Sequence, residues 1–225
     1  MLGGRPKLPV LAAISGPPEP ARVWSLRRED LASLAEVQSR LAERRAVLVS
    51  GREDLARTVA IAASAAAASS GRRTVLVDCD LEAPRLAADL GLAPGPGVHE
   101  YLRWEAEARQ LPQPLALAGP AAAGARGPLV FIAAGRPAAD PTALLGLPGF
   151  RHMAEKLRHA YDLVVLLGPS AGPRPGPLVT IAAEAECVLA ALPPAQASGR
   201  GGRAARVGIG RLPVSAIGAV VVGGA

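Results

Sequence analysis

The sequence predicts an α/β domain of the doubly wound type, with a mostly parallel sheet and helices on both faces. Three observations carry this. Short apolar runs of Val, Leu, Ile and Ala recur along the chain without alternating polar residues, as strands do when both their faces are buried. Segments with helical spacing separate those runs, the arrangement of βαβ units. Stretches rich in Gly and Pro, near Leu92 to Gly97, Leu111 to Pro128 and Gly168 to Pro177, read as surface loops. With 225 residues, 50% of them apolar, the chain can bury one sizeable core. The expected organisation is an N-terminal extension with a short strand, residues 1–27, ahead of one domain over 28–225.

The extension opens with "MLGGRPKLPVLAAISG", a charged start and a short apolar run interrupted by Pro9. That reads as a small strand or docking tail rather than a signal peptide, and no segment reaches the ~18–20 apolar residues of a membrane span. In "LRREDLASLAEVQSRLAERR", Leu31, Leu34, Val37 and Leu41 recur every three to four residues, which predicts an amphipathic helix. "AVLV" follows as a strand ending in Ser50 and Gly51, then an Ala-rich helix from about Leu55 to Ser70, closed by Gly71. "RRTVLVDCD" is a second buried strand that emerges into two acids. The alternation continues with "PLVFIAAG" as a strand, "GFRHMAEKLRHA" as a helix, and "YDLVVLLGPS", "AECVLAALPP" and "VSAIGAVVVGG" as strands.

Composition removes several function classes. Lys occurs only at Lys7 and Lys156, so the net charge of +6 is nearly all Arg and is spread along the chain. No basic run marks a nucleic-acid tract, and aromatics at 3% leave few platforms for base stacking. Cys79 and Cys187 lie in apolar runs and read as small core residues in a reducing compartment. His152 and His159 share one face of a predicted helix and lack the third ligand of a metal site. No nucleophile elbow or Ser, His and Asp set supports hydrolase chemistry.

In sheets of this type ligands bind beyond the carboxyl ends of the strands. Three segments leave those ends: Gly51 to Thr58, Asp78 to Asp80, and Leu167 to Ser170. A phosphate-binding loop reads G-x-x-x-x-G-K-[ST], with glycines that let backbone N–H groups close on phosphate, a Lys for charge and a hydroxyl for magnesium. "GREDLART" keeps Gly51 and Thr58 but has Ala56 for the second glycine and Arg57 for the lysine. An ordinary strand-to-helix turn accounts for the stretch equally well.

The segment "VLVDCDLEAPRLAADLGL" closely resembles the one after the second strand in bacterial tyrosine kinases of capsule and exopolysaccharide synthesis, the CpsD/CapB type. The likeness continues. "PGPGVHEYLRWEA" is similar to that family's P-G-L-x-x-x-L-x-G-E, "FIAAGRPAADPTALLG" to its P-A-G-x-x-x-x-N-P-x-E-L-L, and "LRHAYDLVVLLGPS" to its L-x-x-x-Y-D-x-V-I-I-D-T-P-P. It spans roughly Ala46 to Gly223, and "LPVLAAI" is similar to the L-P-V-L-G-x-I that often precedes the kinase module.

The resemblance implies a P-loop NTPase type of fold related to the ParA/MinD group, with ATP and magnesium as cofactors. It sets Gly51, Ala56, Arg57 and Thr58 at the nucleotide, Thr58 and Asp78 at magnesium, and Asp78 and Asp80 as the catalytic carboxylates. Leu167 stands where the third acidic motif should end, so one metal-binding carboxylate is missing. Arg is a planar fork where the loop holds a compact ammonium, and Ala56 adds a Cβ beside the phosphates. These departures predict a catalytically impaired relative, with nucleotide binding weak or lost, that acts by binding in exopolysaccharide or capsule biosynthesis. The alternative is an active ATP-dependent protein-tyrosine kinase or ATPase. The implied partner is a membrane-associated polysaccharide chain-length or export protein, which would hold the chain in the cytoplasm at the inner face of the membrane; no specific nucleic acid is expected, and the oligomeric state is left open. The family's substrate tyrosines lie in a C-terminal tail, whereas this sequence ends in "VVVGGA" with its last predicted strand, and the only tyrosines are Tyr101 and Tyr161. Tail autophosphorylation is therefore not expected, and the family's oligomerisation repeat of Glu and Arg is not clear in "REDLASLAEVQSR". Two structural expectations follow: the strands ending at Ser50, Cys79 and Leu167 should be neighbours, and Arg52 and Arg57 should make a basic surface at the site.

Overall fold

Val47, Leu48 and Val49 are all fully buried although successive strand residues face opposite ways, so both faces of the sheet must be covered. The computed structural model describes residues 8–15, 23–125, 129–171, 176–194 and 207–223. Along these, the chain forms β1 (Val10–Ser15), β2 (Val23–Ser25), α1 (Arg28–Ser33), α2 (Ala35–Leu41), β3 (Ala46–Gly51), α3 (Glu53–Ser69), β4 (Thr74–Asp78), α4 (Leu86–Asp89) and α5 (Val98–Leu102). There follow β5 (Pro112–Ala118), β6 (Leu129–Ile132), α6 (Pro141–Leu145), α7 (Pro148–Ala160), β7 (Leu163–Leu167), α8 (Pro177–Ala183), β8 (Cys187–Leu192) and β9 (Ala216–Gly223). The strands form one sheet in the order β1-β9-β8-β3-β7-β4-β6-β5-β2. Every neighbouring pair is parallel except β5 with β6.

Two cores lie on the two sides of the sheet. On one, Val47, Val49, Val165 and Leu167 pack against the buried alanines of α3, and Leu34, Val37 and Leu41 complete the layer. Small side chains let α3 lie close to the sheet, and it is covered on nearly all sides. On the other, Leu48, Val77 and Leu166 meet Phe150 and Met153 of α7 and Ile181 of α8. Cys79 and Cys187 are buried free thiols. His152 and His159 are exposed on α7.

The extension is not separate from the sheet. β1 pairs with β9 and β2 with β5, so its strands occupy the two edges. Several elements differ from the sequence expectation. The predicted first helix is two helices meeting at Leu34. The stretch Leu111 to Pro128, read as a loop, contains strand β5, and Pro177, read as the end of a loop, opens helix α8. Most consequential for function, α3 begins at Glu53 rather than near Leu55. Among the described residues, no helix is long and apolar enough to cross a membrane.

Candidate functional site

The three segments singled out by sequence do meet at one end of the sheet. Val49 of β3 lies opposite Leu167 of β7, and Leu167 lies opposite Asp78 of β4. Backbone bonds carry the register past the strand ends: Gly168 N donates to Val49 O at 3.0 Å and Cys79 N to Leu167 O at 2.8 Å. The Ser50 hydroxyl donates to Pro169 O at 2.8 Å and ties the β7 loop to β3. Leu167 therefore stands beside Asp78, where the resemblance expects a second carboxylate, and it packs into the α3 core.

Gly51 has a local explanation. A Cβ there would collide with the Ala191 carbonyl of β8, so the close approach of two strands requires glycine at this position. A phosphate loop needs four residues between its two glycines, but here Arg52 alone separates β3 from α3. Ala56 N donates to Arg52 O at 2.7 Å, closing the first helical turn. Ala56 is buried, and the buried Thr58 hydroxyl donates back to Asp54 O at 3.1 Å, a bond that turns it inward along the helix.

Both arginines are engaged in separate ion pairs, and they do not form the expected basic surface. Arg52 forks onto Asp54 at 2.8 and 2.9 Å. Arg57 Nε donates to Asp89 Oδ2 of α4 at 2.5 Å, with the guanidinium mostly covered.

Asp78 is buried and accepts Asp80 N at 3.0 Å on Oδ1. Burial pushes its carboxyl up to about 7; the Asp80 backbone bond opposes that rise, the Asp80 charge adds to it and the Arg57 charge resists it. Asp80 accepts Glu82 N and Ala83 N at 3.1 Å on one oxygen, which folds the following turn. The pair the resemblance assigns to catalysis is thus built into the local backbone. Among the described residues, no group of three His, Cys, Asp or Glu side chains forms a metal site.

Open space lies to one side, beyond β4 and β6. A cavity of about 470 Å³ is lined by Asp78, Ala87, Pro94, Glu100, Ala134 and Arg136. Glu100 locks its walls: Oε2 accepts Gly97 N at 2.8 Å, and Oε1 accepts Arg136 N and Nε at 3.1 Å. Val98 N and His99 N donate to Ala133 O and Ala134 O at 2.9 Å. Two of the segments that carried the family resemblance are therefore bolted together here, and that shared likeness was the only sequence signal for the cavity. Asp54 and Asp89, the partners of the two arginines, had no such signal.

No protein-family model and no curated protein matches the sequence. Solved structures do. The kinase domain of the Escherichia coli tyrosine kinase ETK superposes with a TM-score of 0.78 at 17% identity, over 96% of this chain and 90% of that one. The chimerical protein CapA2B2 gives a TM-score of 0.74 at 16% identity, over 96% and 94%. The chain has the fold of a bacterial tyrosine kinase domain. A more distant match is cobyrinic acid a,c-diamide synthase from Mycobacterium smegmatis, solved with bound ADP and magnesium, with a TM-score of 0.55 at 22% identity over 79% and 73%. At these identities the likeness is one of fold.

Proposed function

We propose that the chain is a catalytically impaired member of the tyrosine-kinase-like P-loop proteins, acting as a binding or regulatory component of exopolysaccharide or capsule biosynthesis. The observation that carries this reading is the onset of α3 at Glu53: the residues that would form a phosphate loop are the first turn of a helix. Their amides cannot wrap a phosphate chain while Ala56 N is bonded to Arg52 O.

The residues present do not fit magnesium and ATP. Thr58 spends its hydroxyl proton on Asp54 O, Arg57 is drawn to Asp89, and Asp78 is a buried carboxyl with a leucine across from it. Loss of one well-placed electrostatic group typically slows an enzyme by about a hundredfold to a thousandfold, and losses at coupled groups do not add simply. No transfer step is therefore assigned to this chain. On this reading it works through its surface, on a membrane-associated chain-length or export protein at the cytoplasmic face of the membrane.

The test is calorimetric titration with ATP and magnesium, followed by phosphate release, for the natural protein and for the combined variant Ala56→Gly, Arg57→Lys and Leu167→Asp. The natural protein is expected to release no phosphate above background. Magnesium-dependent turnover by the natural protein overturns the reading. Turnover gained only by the combined variant supports it.

A further inference from the structure

The cavity of about 470 Å³ beside β4 has a floor and a mouth of different chemistry. Asp78, Ala87 and Ala134 are buried and form the floor, whereas Ala88, Pro94 and Pro137 are exposed and form the mouth. Its walls are set before anything enters. The Glu100 carboxylate spans them, accepting Gly97 N on one oxygen and Arg136 N and Nε on the other. Gly135, at φ 84°, leaves the space that this carboxylate fills, because a Cβ there would collide with it.

Charge in the cavity is unbalanced at one residue. The Arg136 guanidinium is already matched by two carboxylates, Glu100 and Glu105. Arg57, whose charge reaches Asp78 from the α3 side, is bonded to Asp89. Asp78 itself is 1% exposed; the Asp80 amide donates to Oδ1 at 3.0 Å, and the Leu86 amide also favours its charged form. An ionised carboxylate accepts at about four sites. Asp78 therefore has acceptor capacity left, and among the described residues no cationic side chain is bonded to it. An ionised group left so in an apolar surround is costly, and the neighbouring Asp80 charge adds to the cost.

We propose that this cavity binds a small organic monocation, an ammonium group on a short apolar body, with the ammonium seated on Asp78 and the body against Ala87, Ala134 and the prolines of the mouth. A concave space of this size, mostly apolar with a few fixed polar groups, is the usual form of a small-molecule site. The carboxylate selects the charge. An anion, a nucleotide phosphate included, would meet Asp78 and Glu100. A divalent metal needs several oxygen ligands, and both Glu100 oxygens are already spent on donors. A neutral apolar molecule would cover Asp78 and leave its charge without a partner. An ammonium supplies the missing donors in a charge-assisted bond. This site goes beyond the impaired-kinase reading: it needs neither ATP nor magnesium, and it stands whether or not the chain turns over nucleotide.

The experiment is calorimetric and ligand-observed NMR titration of the whole chain at pH 8, without nucleotide or magnesium, using benzylammonium, its neutral isostere benzyl alcohol, and benzoate. Benzylammonium is expected to bind at least about tenfold more tightly than benzyl alcohol, and benzoate not at all. Asp78→Asn keeps the side chain's shape and the acceptor for Asp80 N, and it should erase that preference. Ala88→Phe adds a ring at the exposed mouth, outside the core, and should weaken benzylammonium by about tenfold or more while the melting temperature holds. A natural protein that binds benzylammonium no better than benzyl alcohol overturns the proposal. So does a preference that survives Asp78→Asn, which puts the amine on another carboxylate, or an affinity that Ala88→Phe leaves unchanged, which puts it outside the cavity.

Discussion

At the scale of a single residue, the buried carboxyl of Asp78 burdens stability. Its carboxyl is buried at the end of β4 and titrates at about 7, against 3.8 in an unfolded chain. Below pH 3.8 both states hold the proton and the group has no effect. Between 3.8 and about 7 the unfolded chain releases its proton while the folded one keeps it, so stability falls as pH rises, and the full penalty stands above 7. Asp78→Asn keeps the acceptor for Asp80 N and removes the charge. Denaturant unfolding at pH 5 and pH 8 should therefore show the natural protein losing stability by a few kcal/mol on going to pH 8, with the variant nearly level. Equal losses in both proteins would assign the pH dependence to other groups. The identity of Asp78 and its place across from Leu167 were legible in sequence, because strand ends follow from apolar runs. The ion pair of Arg57 was not: Asp89 lies 32 residues away, and no local pattern predicts which acid a guanidinium reaches.

At the level of elements, the run from Glu53 to Ala56 forms the first turn of α3 where the resemblance expects a loop. The resemblance to a phosphate loop places the start of the helix only at about Leu55. Propensity ran the other way: with no Gly or Pro between Arg52 and Ser69, nothing interrupts helix, and Asp54 in the first turn suits the positive end of the helix dipole. Ala56→Gly should cost about 1 kcal/mol from backbone entropy alone, and more because the methyl is buried. Amide exchange should speed selectively at the Ala56 N–H, which is bonded to Arg52 O. If exchange rises only with global unfolding, the first turn is no weaker than the rest of α3. Strand β5 was missed for a different reason. Pro112 and Pro114 read as loop, yet both pair in register with β6, and β2 joins only the half beyond them, from Ala116 to Ala118. Proline is tolerated because the strand's other side has no ladder at those positions.

The whole molecule is held at its margins by strands the sequence assigned to an extension. The alternating central elements were legible because each apolar run is long enough to mark a strand, whereas the partners of β1 and β2 depend on contacts far along the chain. β1 buries Ala12 and Ile14 and covers the edge of β9. Removing residues 1–15 should lower the melting temperature by several degrees and expose the β9 edge to self-association, readable by calorimetry and light scattering. An unchanged melting temperature would make β1 an ornament of the sheet. The placement of β9 between β8 and β1 also sets a schedule. Ser15 and Gly223 are about two hundred residues apart, roughly ten to forty seconds of synthesis at 5–20 residues per second. Among the described strands, β1 is thus made first and finds its neighbour last. Throughout that interval its apolar segment lacks the strand it pairs with, so this edge of the sheet closes only when residues about two hundred apart meet.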